Sequence, residues 1–145
     1  MGGTNDFLQN VALGEKSMTF DADGNLSVDV STFYGACHQM FKNLKTLFPS
    51  AEIVCLGTPY GRKVSAAHFT DPYGITNTQG LTSIMYGDAI CDIAGMWGIR
   101  SFNIGRLLGI NETNILDYSD GLHFNSEGSA IMANNLKNIF QSIRY

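Results

Sequence analysis

The stretch AEIVCLGTP, residues 51–59, is the strongest indicator of how this chain folds. It contains an uninterrupted apolar run from Ile53 to Leu56 and is closed by Gly57 and Pro59. An apolar run without alternating polar residues is typical of a strand buried on both faces, which is the situation of strands in a parallel sheet. The chain is therefore expected to contain a parallel β-sheet.

The segments around this strand have the pattern of helices and of one further strand. Helices are predicted over about 31–48, 81–97 and 126–144, a strand over 99–104, and a hairpin around Asp23–Gly24. Ser31 is expected to cap the first helix and Pro49 to stop it, while Gly98 is suited to end the second in a left-handed conformation. Helices alternating with strands predict an α/β fold with right-handed crossovers.

The composition is that of one globular domain, residues 1–145, with 44% hydrophobic and 15% charged residues. A net charge of −4, a pI near 5.1 and the lack of a basic cluster argue against a nucleic-acid partner. No apolar run is long enough to predict a membrane span, and the first residues lack the pattern of a signal peptide. The cellular compartment stays open.

The cysteines and histidines do not predict a metal site. Cys37, Cys55 and Cys91 each fall inside an apolar segment, which favours buried free thiols over a disulfide. The three histidines have no metal-ligand spacing with these cysteines, so neither a metal nor a cofactor is expected.

Two short motifs carry candidate chemistry, GGTND at residues 2–6 and DGLHFN at residues 120–125. A carboxylate at Asp120 can hold one ring nitrogen of His123 and leave the other to face a nucleophile. The Asn5 amide, on a glycine-flanked loop, can donate a hydrogen bond to a developing oxyanion. Taken singly, each also has an ordinary interpretation, with Asn5 as a turn former, Asp120 as a loop cap and His123 as a surface histidine.

The pairing of GTND with a late Asp-x-x-His resembles the SGNH hydrolases, also called GDSL-type esterases. The segments TFYGA, FPSAEIVCLGTP, YGDAICDIAGMWGIRSFNI and DGLHFNSEG extend the resemblance over essentially the whole chain. It implies a flavodoxin-like three-layer α/β/α sandwich with a parallel sheet whose N-terminal strands are missing here. It also implies a serine esterase that forms an acyl-serine intermediate and acts on carboxylic esters, with O-acetyl groups on carbohydrates as one candidate class.

The resemblance assigns roles residue by residue. Asn5 would be the side-chain oxyanion donor, with Gly3 beside it against the substrate. His123 would be the general base and Asp120 its orienting carboxylate. The chain departs from the pattern at Phe124, where many members of the family have proline.

The long segment after the first strand, residues 60–80, is a further candidate region. It has no clean period and follows the carboxyl end of a strand, the edge at which open α/β sheets bind ligands. The side chains expected to contact an acyl group or a sugar are Tyr60, Arg62, His68 and Tyr73. A solvated surface loop is the alternative.

The family's Gly-Asp-Ser block, which carries the nucleophile, precedes the GTND block and has no counterpart in this chain. Gly87-Asp88-Ala89 is rejected as the position of the nucleophile, because it lacks the serine hydroxyl and lies on a helical repeat. Ser119 is also rejected as the nucleophile, because it belongs to the same loop as Asp120. The serine is expected from an upstream segment or another polypeptide, and the chain alone is expected to be inactive. A companion segment or a homo-oligomer is expected to cover the open sheet edge. The alternative is a non-catalytic binding or structural module.

Overall fold

The computed structural model describes residues 2–62 and 75–143. The helices and strands of this part of the chain are, in order, α1 Thr4–Leu8, β1 Thr19–Phe20, β2 Leu26–Ser27, α2 Phe33–Leu47, β3 Val54–Leu56, α3 Ser83–Met96, β4 Arg100–Phe102, α4 Ile104–Leu107, α5 Ile115–Tyr118 and α6 Ser126–Ile143. The predicted α/β class is confirmed, and so are the three long helices. Among the described residues, no helix has the length and apolar character needed to cross a bilayer.

The predicted parallel pairing is formed by β3 and β4. Cys55 lies opposite Ser101, with Val54 opposite Arg100 and Leu56 opposite Phe102. Burial on both faces was expected, but only Cys55 is fully buried, whereas Val54 and Leu56 are half-buried. Successive strand residues point to opposite faces, so β3 is closed off on the Cys55 face and partly open on the other.

Two hydrophobic clusters pack around this pair of strands. The first joins Cys55 to buried residues of α1, α2 and α3, including Phe7, Phe41 and Ile93. In the second, Leu56 and Phe102 pack against residues of α4, α5 and α6 such as Ile104 and Ile139. Helices α2 and α3 therefore supply most of the first cluster.

The helix caps differ in one detail from the prediction. Thr32, not Ser31, caps α2, because its side-chain oxygen accepts the Gly35 backbone N–H at 3.4 Å. The Ser31 hydroxyl instead donates to the Asp29 carboxylate at 2.6 Å. Gly98 adopts the predicted left-handed conformation after α3, with a φ of 64°.

The predicted hairpin is present as β1 and β2, which pair antiparallel. Asp21 organises its loop by accepting the backbone N–H groups of Asp23 and Asn25 at 3.0 and 2.7 Å. Gly24 supplies the positive φ, 77°, that the reversal requires.

Three short helices were not predicted. Asn5 was expected on a glycine-flanked loop, but it lies in α1, and the segment between β4 and the Asp120 loop contains α4 and α5. Helices of four or five residues are too short to show a helical period in the sequence, so their formation depends on tertiary packing.

Gly3 begins α1 from a left-handed conformation, with a φ of 108°. A Cβ there would overlap the Thr58 hydroxyl and lie 3.2 Å from Tyr86 Cβ. We expect Gly3→Ala to destabilise the fold by about 1–2 kcal/mol for the backbone and a further ~1–3 kcal/mol for overpacking. Gly24→Ala is the matched control, because Gly24 has a positive φ but open space around it. Equal losses for the two variants in urea unfolding would contradict the packing account of Gly3.

Candidate functional site

Asp120 and His123 form the pair that their spacing predicts. His123 Nδ1 lies 3.0 Å from Asp120 Oδ2. Asp120 Oδ1 accepts the backbone N–H groups of Leu122 and His123 at 2.9 and 2.7 Å. Both side chains are open to solvent, with 80% of His123 and 63% of Asp120 exposed. Within the described residues His123 Nε2 has no hydrogen-bond partner, so it faces outward.

The loop that carries this pair is held by its own backbone and by buried polar groups. Ser119 is bridged to Phe124, its hydroxyl donates to the Ile115 carbonyl at 3.1 Å, and it accepts the Gly121 N–H at 2.9 Å. Asn125 closes the other side, donating to the Asp117 carbonyl at 2.8 Å. Ser119 is therefore a buried structural residue, in agreement with its rejection as a nucleophile.

Phe124, next to His123, packs against the second hydrophobic cluster. Its ring also lies against the backbone of Gly128 in the first turn of α6, where a Cβ would come within 2.9 Å of Phe124 Cδ1. The phenylalanine thus anchors the loop to α6 and leaves the Asp120–His123 pair on the outside.

The pKa of Asp120 is lowered to about 2. The main cause is the hydrogen bond from the His123 backbone N–H, followed by those from the His123 ring and the Leu122 N–H. Each of these donors favours the ionised carboxylate. Asp120 is therefore an acceptor at any pH near neutrality.

This shift predicts a pH dependence of stability. Because the folded-state pKa lies below the ordinary value of 3.8, the stabilising contribution of the carboxylate is complete above that value and is lost as the pH falls through about 2. We expect Asp120→Asn to remove this part of the acid sensitivity in urea unfolding between pH 5 and pH 2. In a carboxyl ¹³C titration of the native protein, a midpoint for Asp120 near 3.8 would contradict the account.

Asn5 lies in the first turn of α1 rather than on the predicted loop, and its side chain is exposed. The helix beneath it is firmly anchored. Phe7 is fully buried with its ring edge-on to Tyr86 at 6.3 Å, and the buried Asn77 Nδ2 donates to the Phe7 carbonyl at 3.3 Å. The amide is thus presented to solvent from a fixed backbone.

The segment after β3 connects the two motifs. The Thr58 hydroxyl donates to the Gly2 carbonyl at 2.5 Å, and the Arg62 backbone N–H donates to the Gly121 carbonyl at 2.7 Å. Since Thr58 and Arg62 are four residues apart, their Cα atoms are at most ~14 Å from each other. Both motifs therefore lie at the carboxyl edge of the parallel strands, although no hydrogen bond among the described residues joins Asn5 to His123.

The expected substrate contacts have different surroundings. Tyr60 is buried in the second hydrophobic cluster, with its hydroxyl 3.5 Å from Glu112 Oε2. Arg62 is half-buried, and its Nε is buried without a partner in the described part of the chain. Gly3 packs against Thr58 and Tyr86 beneath the surface. The remaining two residues, His68 and Tyr73, lie outside the described residues.

Sequence reasoning missed the buried polar residues that build this edge. Ser83, at the start of α3, accepts the Gly61 N–H at 2.9 Å and donates to the Gly61 carbonyl at 3.1 Å. Asn77 ties α1 to α3, because its Nδ2 donates both to the Phe7 carbonyl at 3.3 Å and to the Tyr86 hydroxyl at 3.0 Å. Asn77 falls in the segment 60–80, which has no clean period, whereas Ser83 and Tyr86 fall inside the predicted helix 81–97, so no local pattern marks these three residues.

The cysteines are free, as predicted, with Cys37 and Cys55 buried and Cys91 half-buried. In residues 2–62 and 75–143, no group of three histidine, cysteine or acidic residues is arranged to hold a metal ion.

Comparison with known proteins gives structural relatives only. No family model matches the sequence, and no curated protein matches it. The crystal structure of a Lactobacillus plantarum protein, determined as a structural genomics target, matches with a TM-score of 0.78 and 24% identity over 97% of this chain and 64% of that one. A second crystal structure matches with a TM-score of 0.71 and 24% identity, over 98% of this chain and 62% of its own. The chain thus spans less than two thirds of either protein, and the likeness establishes a shared mixed α/β fold.

Proposed function

We propose that the chain carries the histidine–aspartate half of an SGNH-type serine esterase. One observation carries the proposal. Asp120 Oδ2 can only accept, since it is ionised, so the proton between it and His123 lies on Nδ1. A neutral imidazole has one donor and one acceptor nitrogen, which leaves the exposed Nε2 as a base.

The reaction follows the acyl-serine route. As a serine oxygen attacks the ester carbonyl, His123 Nε2 takes the serine proton, and Asp120 stabilises the imidazolium that forms. The Asn5 amide donates to the oxyanion of the tetrahedral intermediate. His123 then returns the proton to the departing alcohol, and water activated by the same nitrogen hydrolyses the acyl-serine. No metal or cofactor takes part in these steps.

The arrangement of the two motifs supports this assignment. Both lie at the carboxyl edge of β3 and β4, where open α/β sheets bind ligands, and both are fixed to the segment 58–62. Asn5 and His123 are exposed, as groups that must meet a substrate and a nucleophile are. An ester is the substrate class, with O-acetyl groups on carbohydrates as a candidate.

Neither of the two described positions that resemble the nucleophile fits that role, so the proposal takes the serine from elsewhere. Ala89, in the Gly-Asp-Ala sequence, is buried in α3, and Ser119 is buried in the loop. We place the nucleophile in a segment of the same protein, or a partner chain, that adds strands beside β3 and completes a flavodoxin-like three-layer sandwich. The hydrogen bond from Thr58 to the Gly2 carbonyl supports this, because it sets Gly2 beside the end of β3. A homo-oligomer is the other arrangement that would cover the edge.

The proposal is tested by hydrolysis of p-nitrophenyl acetate. We expect residues 1–145 alone to be inactive and the full polypeptide from the same coding sequence to be active, with activity that requires Asn5 and His123. Activity of the isolated chain that survives both Asn5→Ala and His123→Ala would overturn the assignment. An inactive full polypeptide without a Gly-Asp-Ser segment would favour a non-catalytic module.

A further inference from the structure

Helix α3 crosses β3 at very close range. A Cβ on Gly57, just after the strand, would lie 2.8 Å from the Gly87 carbonyl oxygen and 3.0 Å from Gly87 Cα. Cys55 is two residues before Gly57 and so points to the same face of the strand. Cys91 is four residues after Gly87 and so lies on the same face of the helix. The close contact between Gly57 and Gly87 therefore places Cys55 beside Cys91, one helical turn further along α3.

Neighbouring contacts agree with this placement. Ser101 pairs with Cys55 across the two strands, and its hydroxyl donates to the Cys91 carbonyl at 3.3 Å. Cys55 is 7% exposed within the first hydrophobic cluster, and the half-buried Cys91 packs against that cluster. Both side chains therefore pack in the same apolar layer between α3 and β3.

The environments of the two thiols are unequal. The pKa of Cys91 is lowered, chiefly by its contact with the Cys55 thiol. The pKa of Cys55 is raised by the same thiol contact and by burial. Cys91 is thus both the more accessible sulfur and the better nucleophile.

We propose that Cys91 and Cys55 form a peroxide-reactive dithiol that closes into a disulfide between α3 and β3. The Cys91 thiolate attacks one oxygen of hydrogen peroxide and breaks the O–O bond, which gives Cys91 sulfenic acid and hydroxide. The hydroxide takes up the proton that the Cys91 thiol released on ionising and leaves as water. The Cys55 sulfur then attacks the Cys91 sulfur and displaces hydroxide, which leaves as water with the Cys55 proton. The two thiols lose two electrons, and the peroxide gains them. This site does not depend on the proposed esterase activity.

The test treats the folded protein with a small molar excess of hydrogen peroxide. We expect the titratable thiols to fall from three to one, and peptide mapping without reductant to show a cross-link between Cys55 and Cys91 within one chain. Three remaining thiols, or a cross-link that contains Cys37 or joins two chains, would overturn the proposal.

Cys37 offers a matched control, since it is buried and burial raises its pKa to about 12. Cys37→Ala should leave the cross-link intact. Cys55→Ala should stop the reaction at Cys91 sulfenic acid, which dimedone traps, and Cys91→Ala should give no adduct. Dimedone labelling of Cys37 in place of Cys91 would contradict the assignment, and the peptide map of the unaltered protein decides the matter if a variant fails to fold.

Discussion

Replacing His123 by alanine is expected to abolish ester hydrolysis by the full polypeptide, with a fall in kcat/KM of about 10⁴-fold or more. The reason is that, in the proposed mechanism, His123 Nε2 is the base that activates the nucleophile, and no second histidine lies near it among the described residues. The Asn5 amide and substrate binding would account for the residual rate. The measurement is the steady-state rate with p-nitrophenyl acetate.

The controls separate catalysis from folding. His123 is exposed, so the variant should keep the circular dichroism spectrum and unfolding midpoint of the parent. Asp120→Asn should also lower the rate strongly, because an amide can leave the imidazole in the wrong tautomer. Asp117→Asn changes an exposed carboxylate on the adjacent α5 and should leave the rate unchanged. A rate that survives His123→Ala contradicts the mechanism.

Replacing Asn77 by alanine is expected to lower the free energy of unfolding by about 3–5 kcal/mol. Asn77 is fully buried, and its Oδ1 accepts the backbone N–H groups of Gln79 and Leu81 at 3.0 Å each. Its Nδ2 donates to the Phe7 carbonyl and to the Tyr86 hydroxyl. Alanine would leave the buried Phe7 carbonyl and the buried Tyr86 hydroxyl with a partner lost, and such a loss costs more than a missing exposed hydrogen bond.

Urea unfolding measures this effect. Tyr86→Phe removes only the hydroxyl that joins Asn77 Nδ2 to the Val11 carbonyl, so its cost should be smaller, about 1–2 kcal/mol. Asn43→Ala is the exposed control, since the Asn43 amide pairs with Gln39 on the surface of α2, and it should cost under ~0.5 kcal/mol. An Asn77→Ala variant as stable as Asn43→Ala would show that Asn77 does not hold α1 in place.

The parts of the fold that the sequence predicts are those encoded by a local period. The long helices α2, α3 and α6 have apolar stripes over many turns, and β3 is an uninterrupted apolar run. The short helix α1 has no such signal and forms because Phe7 is buried under it. The cap at Thr32 was missed because Ser31 is an equally good capping residue, and only the Asp29 carboxylate decides between the two.

His123 and His38 show the same limit. The Asp120–His123 contact is local, three residues apart, and its spacing predicts it. His38 is fully buried, with Nδ1 accepting the Trp97 indole N–H at 3.0 Å and Nε2 2.9 Å from the Lys16 carbonyl oxygen. These partners are 59 and 22 residues away in sequence, so no local pattern reveals that His38 is structural. The hydrogen bond between Thr58 and Gly2, which fixes the GGTND motif beside the end of β3, joins residues 56 positions apart and is likewise not revealed by a local pattern.

Fluorophosphonate labelling followed by peptide mass spectrometry tests the central claim most directly, because the reagent reacts with serines that a neighbouring base activates. In the full polypeptide we predict a single labelled serine that is neither Ser119 nor any other serine of residues 2–62 and 75–143. The label should be lost in His123→Ala and Asp120→Asn and kept in Asp117→Asn. Labelling that is unchanged in His123→Ala would contradict the assignment of the Asp120–His123 pair as the catalytic base.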